Sequence, residues 1–405
     1  MRRRPTALFI VASAIVGVSA CSAQTTPAKD ATGTSAVSTQ TTSATPTPTQ
    51  TPVRLTFAPA ADEKGVLPTT PVRVSATDGT LTSATVTAPD GSSLPGALKD
   101  GVWTSTARKV PSTTYTIRAV STRSDGSTQT DTSTFTTLKP AIDATYHVLY
   151  DNTTVGVGAP VSIQFDSAVQ TKEMRAAIEK NAVVTTTPKV EGSWGWLDNR
   201  QLMWRPAQYW KPGTKVDLKA NLAGLQSGEG KWISRNGTGT FTVGRSMIST
   251  VDIPAHTMTV TRDGKVVDVF PISAGSGKEP RFVTRSGTKV IIEKNGDMTM
   301  DSESVGITKG DPNYYKVETK WNLRVTWTGE FLHSAPWSVG SQGVANVSHG
   351  CVNMRPSQAR WMFENSMVGD VVKFTGSNRP FLPTEGIGVW EYTYDQWKKQ
   401  SALVD

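Results

Sequence analysis

The amino-acid sequence predicts a mainly β protein, in which two tandem β-sandwiches precede a third β-rich domain with a short helix and a C-terminal cap. Segments such as "TYTIRAV" and "KVDLKAN" alternate apolar and polar residues, which is typical of half-buried strands. Turn signals such as "PDG" and "KPG" separate such segments. A chain of 405 residues has room for about two to four domains, each with its own hydrophobic core.

The two sandwiches are predicted from an internal repeat. The segment "WTSTARKVPSTTYTIRA" (103–119) recurs as "WRPAQYWKPGTKVDLKA" (204–220), with Trp, Pro and apolar residues at matching positions. The number and spacing of the short strands fit immunoglobulin-like sandwiches, which we expect at residues 53–143 and 144–246. The second copy carries a helical insertion, "TKEMRAAIEKNA". We expect the sandwiches to act as spacers, with a dedicated ligand site as the alternative.

The N-terminus has the pattern of an export signal. Three arginines are followed by an apolar run from Ala7 to Ala20 and then by Cys21, an arrangement typical of a signal peptide over residues 1–20. The run is shorter than the roughly 20 residues that a membrane-spanning helix needs. The segment "VSAC" resembles the lipobox of bacterial lipoproteins, which implies that Cys21 becomes the lipid-acylated first residue of the mature protein.

Composition places the mature protein at the cell envelope. Residues 21–52 are rich in Thr, Ser, Ala and Pro, which predicts a disordered, lipid-anchored tether. The formal net charge is +8, and three of the arginines that contribute to it lie in the predicted signal peptide. The remaining basic residues are scattered and form no run interleaved with aromatics, so nucleic acid is not an expected partner. We expect the protein on the outer face of the plasma membrane, facing the cell wall.

The third domain is predicted at residues 247–376, with a C-terminal cap over residues 377–405. "TMTVTRDGKVVDVF" and "TKVIIEKNGDMTM" predict two hairpins that turn at Asp-Gly and Asn-Gly. "SQARWMFENS" has helical spacing. The aromatic residues of "VWEYTYDQWKKQ" are expected to pack back onto the domain, with a partner surface as the alternative.

The segment "SHGCVN" holds the only cysteine besides Cys21. If Cys21 carries lipid, Cys351 is an unpaired thiol in an oxidising compartment, where it is a liability unless it is buried or used. A thiol with an ordinary pKa of about 8.5 needs a neighbouring histidine or amide dipoles to act as a nucleophile. His333 and His349 supply imidazoles, and Gly350 allows a sharp turn whose N–H groups could form an oxyanion hole. Taken alone, the cysteine and histidines are more simply interpreted as a buried cysteine beside two structural histidines.

The complete pattern is more specific. His333, fourteen intervening residues and then Ser-His-Gly-Cys-Val-Asn (348–353) closely resemble the signature of the L,D-transpeptidase catalytic domain. The resemblance extends over the whole chain to the mycobacterial-type lipoprotein members, which have a tether, two immunoglobulin-like domains, a catalytic domain and a cap. It implies that Cys351 is the nucleophile and His333 its general base.

The resemblance also implies roles for the neighbouring residues. The backbone carbonyl of Ser334 would orient the imidazole, and the N–H groups of His349, Gly350 and Cys351 would form the oxyanion hole. Residues at positions that line the family's substrate cleft are Met300, Tyr315, Trp337, Ser348 and Asn353. The loop "SAPWSVGSQGVAN" is a candidate lid, with Gly340 and Gly343 as hinges, or else an ordinary connection with one packed tryptophan.

The implied reaction is 3→3 cross-linking of peptidoglycan tetrapeptide stems, one as donor and one as acceptor, through a cysteine thioester with release of terminal D-alanine. Acylation by carbapenems is implied as well, and no cofactor is. The alternatives are an L,D-carboxypeptidase and a non-catalytic wall-binding lipoprotein. A zinc site made of His333, His349 and Cys351 would lack a fourth ligand pattern or an HExxH-like helix, so no metal is expected.

Overall fold

The computed structural model describes residues 52–404. The predicted signal peptide, the predicted acylation site Cys21 and the predicted tether up to residue 51 lie outside the described residues. Within residues 52–404, no helix is long and apolar enough to cross a membrane.

The first sandwich consists of two four-stranded sheets, ordered β1-β3-β6-β5 and β2-β8-β7-β4. Its core is a cluster of buried side chains in which the rings of Tyr115 and Phe135 stack at 5.4 Å. Its strands are β1 (Arg54–Ala58), β2 (Glu63–Val66), β3 (Arg73–Thr77), β4 (Thr80–Thr87), β5 (Gly96–Lys99), β6 (Val102–Ser105), β7 (Thr114–Thr122) and β8 (Thr128–Thr137).

The second sandwich has sheets ordered β10-β12-β15-β14 and β11-β19-β16-β13, with a small sheet β17-β18-β9 beside them. The predicted helical insertion is α1, whose first turn is capped by the Thr171 hydroxyl accepting from the Met174 N–H. Its elements are β9 (Ile142–Ala144), β10 (Tyr146–Val148), β11 (Thr153–Val155), β12 (Val161–Phe165), α1 (Lys172–Asn181), β13 (Ala182–Thr187), β14 (Gly192–Trp196), β15 (Gln201–Pro206), β16 (Lys215–Ala220), β17 (Gln226–Gly228), β18 (Lys231–Ile233) and β19 (Gly237–Val243).

The repeat seen in the sequence has a structural counterpart. Trp103 in β6 and Trp204 in β15 each lie over a glycine of the adjacent strand, Gly96 or Gly192. A Cβ at either glycine would be 2.1 Å from the tryptophan ring, so each position requires a residue without a side chain. The prediction of two tandem immunoglobulin-like sandwiches before a β-rich domain is confirmed.

The third domain packs a five-stranded sheet, β22-β21-β20-β28-β23, with a four-stranded sheet, β24-β25-β26-β27. Short 3-10 turns cover Pro280–Phe282, Ser302–Val305, Pro336–Ser338, Pro383–Glu385 and Val389–Glu391. The other elements are β20 (Met247–Asp252), β21 (Thr257–Arg262), β22 (Lys265–Pro271), β23 (Gly287–Val290), β24 (Glu293–Asp301), β25 (Lys316–Arg324), β26 (Phe331–Ser334), β27 (Val352–Met354), α2 (Pro356–Asn365), β28 (Val371–Thr375) and α3 (Tyr394–Lys398).

One predicted hairpin is correct and the other is wrong. β21 and β22 pair through a turn in which both Asp263 and Gly264 have positive φ, as expected for a two-residue hairpin. The Asn-Gly segment does not turn. It lies inside β24, whose register with β25 is the same before and after it, with Asn295 opposite Asn322 and Asp297 opposite Lys320.

The C-terminal aromatics pack back as expected, but chiefly onto the second sandwich. Trp397 is fully buried, and its indole N–H donates to the carbonyl of Ser193 at 3.0 Å. The Arg205 guanidinium lies 4.6 Å from the Trp390 ring. One hydrophobic core therefore joins the second sandwich, strands β23 and β28, and the cap, whereas the first sandwich has a separate core.

Candidate active site

A cavity of about 390 Å³ opens beside the ends of β26 and β27. Eight of the predicted site residues line it, together with two valines that the sequence did not single out. The lining residues are Met300, Tyr315, Val317, His333, Trp337, Val347, Ser348, His349, Cys351 and Asn353. Ser334 and Gly350 are not part of the lining but directly adjoin lining residues in the chain.

Two parallel strands bring the histidine and the cysteine to the same cavity. His333 in β26 pairs with Asn353 in β27, and Cys351 immediately precedes β27. Because paired residues of neighbouring strands present their side chains on the same face of the sheet, His333 and Asn353 lie side by side. The long loop between them is therefore a crossover that returns the chain next to the histidine.

His333 is buried and is oriented by its neighbour's backbone. Its Nδ1 lies 2.9 Å from the carbonyl oxygen of Ser334. A carbonyl only accepts, so Nδ1 carries the proton and the Nε2 lone pair is free to act as a base. Burial lowers the pKa of His333 to about 4, while the Ser334 carbonyl and the Asn353 side chain oppose this shift. The imidazole is therefore neutral near pH 7, as a general base requires.

The thiol of Cys351 is also neutral at rest. Burial raises its pKa to about 12, and the nearby Glu330 carboxylate adds to the increase, while the Phe331 backbone and Lys289 oppose it. The sulfur lies 3.5 Å from the carbonyl oxygen of Gly329, which accepts a weak S–H hydrogen bond. A thiolate therefore forms only when another group takes the proton, and His333 is the base that lines the same cavity.

The turn that carries the cysteine is held from both sides. Gly350 has φ of +133°, a conformation that favours glycine. The Ser348 hydroxyl donates to the Cys351 carbonyl at 2.6 Å and accepts from the Gly350 N–H at 3.0 Å. The Thr284 hydroxyl donates to the Gly350 carbonyl and accepts from the Gly275 N–H, both at 2.8 Å. Sequence reasoning missed Thr284, which lies far away in the chain.

These contacts define which amides are free to bind an oxyanion. The peptide between Gly350 and Cys351 is planar and trans, so the Cys351 N–H points away from the carbonyl that Thr284 holds. Within residues 52–404, the N–H groups of His349 and Cys351 have no hydrogen-bond partner. The Gly350 N–H is occupied by Ser348. The role proposed for Gly350 as an oxyanion donor stays a prediction, and its positive φ is its observed contribution.

Aromatic rings form one wall of the cavity. The His349 ring lies between Phe282 at 4.5 Å and Tyr315 at 4.9 Å. Burial lowers the pKa of His349 and raises that of Tyr315, so both side chains are neutral near pH 7. Trp337 is 55% exposed, and its ring centre lies 6.0 Å from that of His333. The wall thus presents a mostly apolar surface with an exposed tryptophan at the rim.

The loop predicted as a lid is anchored at several points. Ser338 and Gln342 are buried, and the Gly343 N–H donates to the carbonyl of Ile272 at 2.9 Å. The exposed residues of this segment are Pro336, Trp337, Val339, Gly340, Gly343 and Val344. Large movements of the complete loop would break these contacts.

A buried ionic cluster lies behind the cysteine. The Lys289 ammonium is fully buried and contacts the Glu330 carboxylate at 2.7 Å and the Arg285 carbonyl at 2.8 Å. The Arg285 guanidinium forms ion pairs with the carboxylates of Glu330 at 3.3 Å and Glu385 at 2.9 Å. Glu330 directly follows Gly329, whose carbonyl accepts from the thiol. The cluster therefore fixes residues 329–330, which include the carbonyl group that accepts the hydrogen bond of the thiol.

No group of three or more His, Cys, Asp or Glu side chains suited to a metal ion occurs in the part of the chain that the structure describes. His333, His349 and Cys351 share a cavity but do not form such a group. The arrangement instead provides a thiol, a neutral imidazole with a free lone pair, and two unpaired N–H groups. This set can carry out acyl transfer through a cysteine.

Comparisons with known proteins show which proteins the chain is similar to. Residues 246–374 match the L,D-transpeptidase catalytic domain, and residues 63–226 match a bacterial Ig domain. L,D-transpeptidase 2 of Mycobacterium tuberculosis (strain CDC 1551 / Oshkosh) is 36% identical over 353 residues, which cover 86% of this chain and 85% of that protein. L,D-transpeptidase 5 of M. tuberculosis (strain ATCC 25618 / H37Rv) is 35% identical over 86% of this chain and 77% of its own.

Solved structures are also similar to part of the chain. One is an L,D-transpeptidase in complex with imipenem, which is 33% identical and has a TM-score of 0.48. It covers 58% of this chain and 100% of its own.

Proposed function

Because the chain belongs to the L,D-transpeptidase family, we propose that it forms 3→3 cross-links between peptidoglycan stems through a thioester on Cys351. The observation that carries the proposal is that Cys351 shares its cavity with His333, whose Nδ1 is committed to Ser334 and whose Nε2 is free. A carbonyl replaces the carboxylate that orients the base in other catalytic triads.

Acylation begins with the donor tetrapeptide. His333 Nε2 takes the proton of the Cys351 thiol while the sulfur attacks the carbonyl carbon of the third stem residue, a diamino acid whose carbonyl belongs to an L-centre. The resulting oxyanion faces the free N–H groups of His349 and Cys351. The C–N bond to the terminal D-alanine then breaks, and the imidazolium returns its proton to the departing amine. A thioester and free D-alanine remain.

Transfer to the acceptor reverses the roles. The side-chain amine of another stem's diamino acid attacks the thioester carbonyl, and His333 accepts a proton from the amine. The C–S bond breaks, the sulfur is reprotonated, and an amide joins the third residues of the two stems. Water in place of the amine would give L,D-carboxypeptidase activity. The apolar wall and the rim tryptophan support preference for the amine, because they restrict solvent.

We also propose acylation by carbapenems and a lipid anchor. The strained β-lactam carbonyl of a carbapenem would meet the same thiol, base and N–H groups as the stem peptide. Membrane attachment on the outer face is supported by the "VSAC" segment, which ends at Cys21 and lies outside the described residues.

The test is a mass spectrum of the protein after incubation with a disaccharide tetrapeptide. We expect an adduct equal to the substrate minus alanine on the wild-type protein, and cross-linked dimer in solution. Cys351→Ala removes the nucleophile with little change in volume, so it should show neither product while its unfolding curve stays close to that of the wild type.

Three outcomes would contradict the proposal in different ways. D-alanine release by the Cys351→Ala variant would show that another group is the nucleophile. An adduct with free tripeptide but no dimer would identify a carboxypeptidase. Binding to cell-wall material with no D-alanine release would identify a non-catalytic wall-binding lipoprotein.

A further inference from the structure

A chain of buried hydrogen bonds lies behind His333. The Ala335 carbonyl accepts from the Ser338 hydroxyl at 3.3 Å and from Gln342 Nε2 at 3.1 Å. The Ser338 oxygen accepts from Gln342 Nε2 at 3.2 Å and from Asn353 Nδ2 at 3.1 Å. All four of these residues are buried. These hydrogen bonds therefore connect the crossover loop to Asn353, the residue of β27 that pairs with His333.

The chemistry of the chain fixes the orientation of the Asn353 amide. The Ala335 carbonyl can only accept, so the Ser338 hydroxyl and the Gln342 amide must both direct hydrogens at it. The Ser338 oxygen then has only lone pairs left to offer. Asn353 must present its N–H group to that oxygen, which turns its carbonyl oxygen, Oδ1, to the opposite side. Asn353 pairs with His333 in the neighbouring strand, and its side chain raises the pKa of the imidazole, as an acceptor oxygen directed at the ring would.

We propose that Ser338 and Gln342 are positioning residues, which hold the Asn353 amide so that its Oδ1 stabilises the imidazolium form of His333 during proton transfer from Cys351. The inference rests on the proposed function, since it takes Cys351 and His333 as nucleophile and base. The reversed amide would direct N–H donors at the imidazole and would disfavour its protonation.

The electrostatics of the site agree with this role. Burial is the main influence on His333 and lowers its pKa, whereas hydrogen bonding to the Asn353 side chain raises it. An acceptor that favours the protonated imidazole therefore offsets part of the cost of burial. The charged groups that act on the Cys351 thiol are Glu330, Lys289 and Arg324. None of them takes part in the hydrogen bonds among Ala335, Ser338, Gln342 and Asn353.

The proton balance is simple. The S–H bond of Cys351 breaks and an N–H bond forms at His333 Nε2, so a neutral pair becomes a thiolate and an imidazolium. Anything that stabilises the imidazolium increases the population of the thiolate at neutral pH. As the pH rises toward the raised pKa of the thiol, an increasing share of the thiolate forms without the imidazole, and the stabilisation matters less.

The experiment measures the rate at which iodoacetamide alkylates Cys351, followed by mass spectrometry between pH 6 and pH 10. We expect Ser338→Ala to slow alkylation roughly tenfold at pH 7, the effect of one charge-assisted hydrogen bond, and the gap to narrow as the pH rises. Ser338→Thr keeps the hydroxyl and should restore the rate. Ser341→Ala, in the same loop, is the matched control, because the Ser341 hydroxyl makes no hydrogen bond within the described residues, whereas its backbone N–H donates to the Ser338 carbonyl and is kept in the variant.

Gln342→Met removes the amide donors but keeps the length of the side chain, and it serves as a second variant if Ser338→Ala unfolds. It should give the same pH-dependent loss. An unchanged rate, or a loss equal at every pH, in the folded variants would overturn the proposal, since a general loosening of the site would not depend on pH. Alkylation needs no stem peptide, so this result is independent of the D-alanine test of Cys351→Ala.

Discussion

The hydroxyl of Thr284 lies 2.8 Å from the carbonyl oxygen of Gly350 and thereby fixes the peptide that ends in the N–H of Cys351. Thr284 is buried, and its oxygen also accepts from the Gly275 N–H. Thr284 does not line the cavity, but it determines the direction of the Cys351 N–H, which belongs to a lining residue. The proposed oxyanion site therefore depends on this contact as well as on the cysteine turn.

Thr284→Val should lower the rate of thioester formation by about ten- to a hundredfold, somewhat less than the complete loss of an oxyanion donor. Valine has nearly the same shape but cannot make either hydrogen bond. Alkylation by iodoacetamide creates no oxyanion, so its rate should change little. Thr284→Ser keeps the hydroxyl and should behave like the wild type. Equal losses in both reactions would indicate a damaged cysteine turn and not a misdirected amide.

Trp337→Ala should raise hydrolysis of the thioester relative to formation of cross-linked dimer. Trp337 is exposed at the rim of the cavity, near His333, and its removal would admit water to the thioester. The measurement is the ratio of tripeptide to dimer from one tetrapeptide substrate. Val344→Ala, an exposed residue of the same loop, is the control. An unchanged ratio would mean that the partition is set elsewhere.

Lys289→Met should destabilise the protein by about 3–5 kcal/mol, because it leaves the buried Glu330 carboxylate with a poorer partner. Lys289→Met combined with Glu330→Gln removes both charges and should recover most of that loss. The free energies of unfolding of the wild type, the two single variants and the double variant, measured with denaturant, complete a double-mutant cycle. Losses that simply add would show that the two side chains are not coupled.

His333 should make the protein less stable as the pH falls from about 6.5 to about 4. Burial lowers its pKa to about 4 from an ordinary 6.5, so in this window the unfolded chain binds a proton that the folded protein does not. The full effect corresponds to about 3 kcal/mol. Comparison with His333→Gln isolates it from the carboxylates, which titrate in both proteins. If the free energy of unfolding changed with pH in the same way in both proteins, the lowered pKa of His333 would be contradicted.

Cys21→Ser should release the protein from membranes or block its maturation, because the side chain that would carry the lipid is lost. Fractionation of cells expressing each form measures this directly. Cys351→Ala should remain in the membrane fraction, since it leaves the lipobox-like segment intact. A Cys21→Ser protein that is correctly processed and still wholly in the membrane fraction would indicate a different anchor.

The sequence predicted the parts of the site that are close together in the chain. Ser348 to Asn353 form one turn and one short strand, so their spacing alone defines their geometry. Thr284 and Gly329 reach the same turn from distant segments and have no local pattern that marks them. Sequence order also could not show that Trp397 packs on the second sandwich, because which domain a terminal segment covers depends on the arrangement of domains in space.

The Asn-Gly pair at residues 295–296 failed as a turn signal for a related reason. Asn-Gly favours a hairpin when both flanking strands can pair with each other. Here β23 pairs with β28 and β24 pairs with β25, so tertiary pairing overrides the local preference.

The shared core of the second sandwich, the third domain and the cap has a consequence for how such genes can be rearranged. A recombination junction near residue 246 would separate packed side chains such as Val371 and Trp397 from their partners in the sandwich, and the hybrid would inherit two mismatched halves. A junction near residue 140 would leave both cores intact. Copies of the first sandwich can therefore be added, lost or exchanged during evolution, whereas the second sandwich must be inherited together with the enzyme.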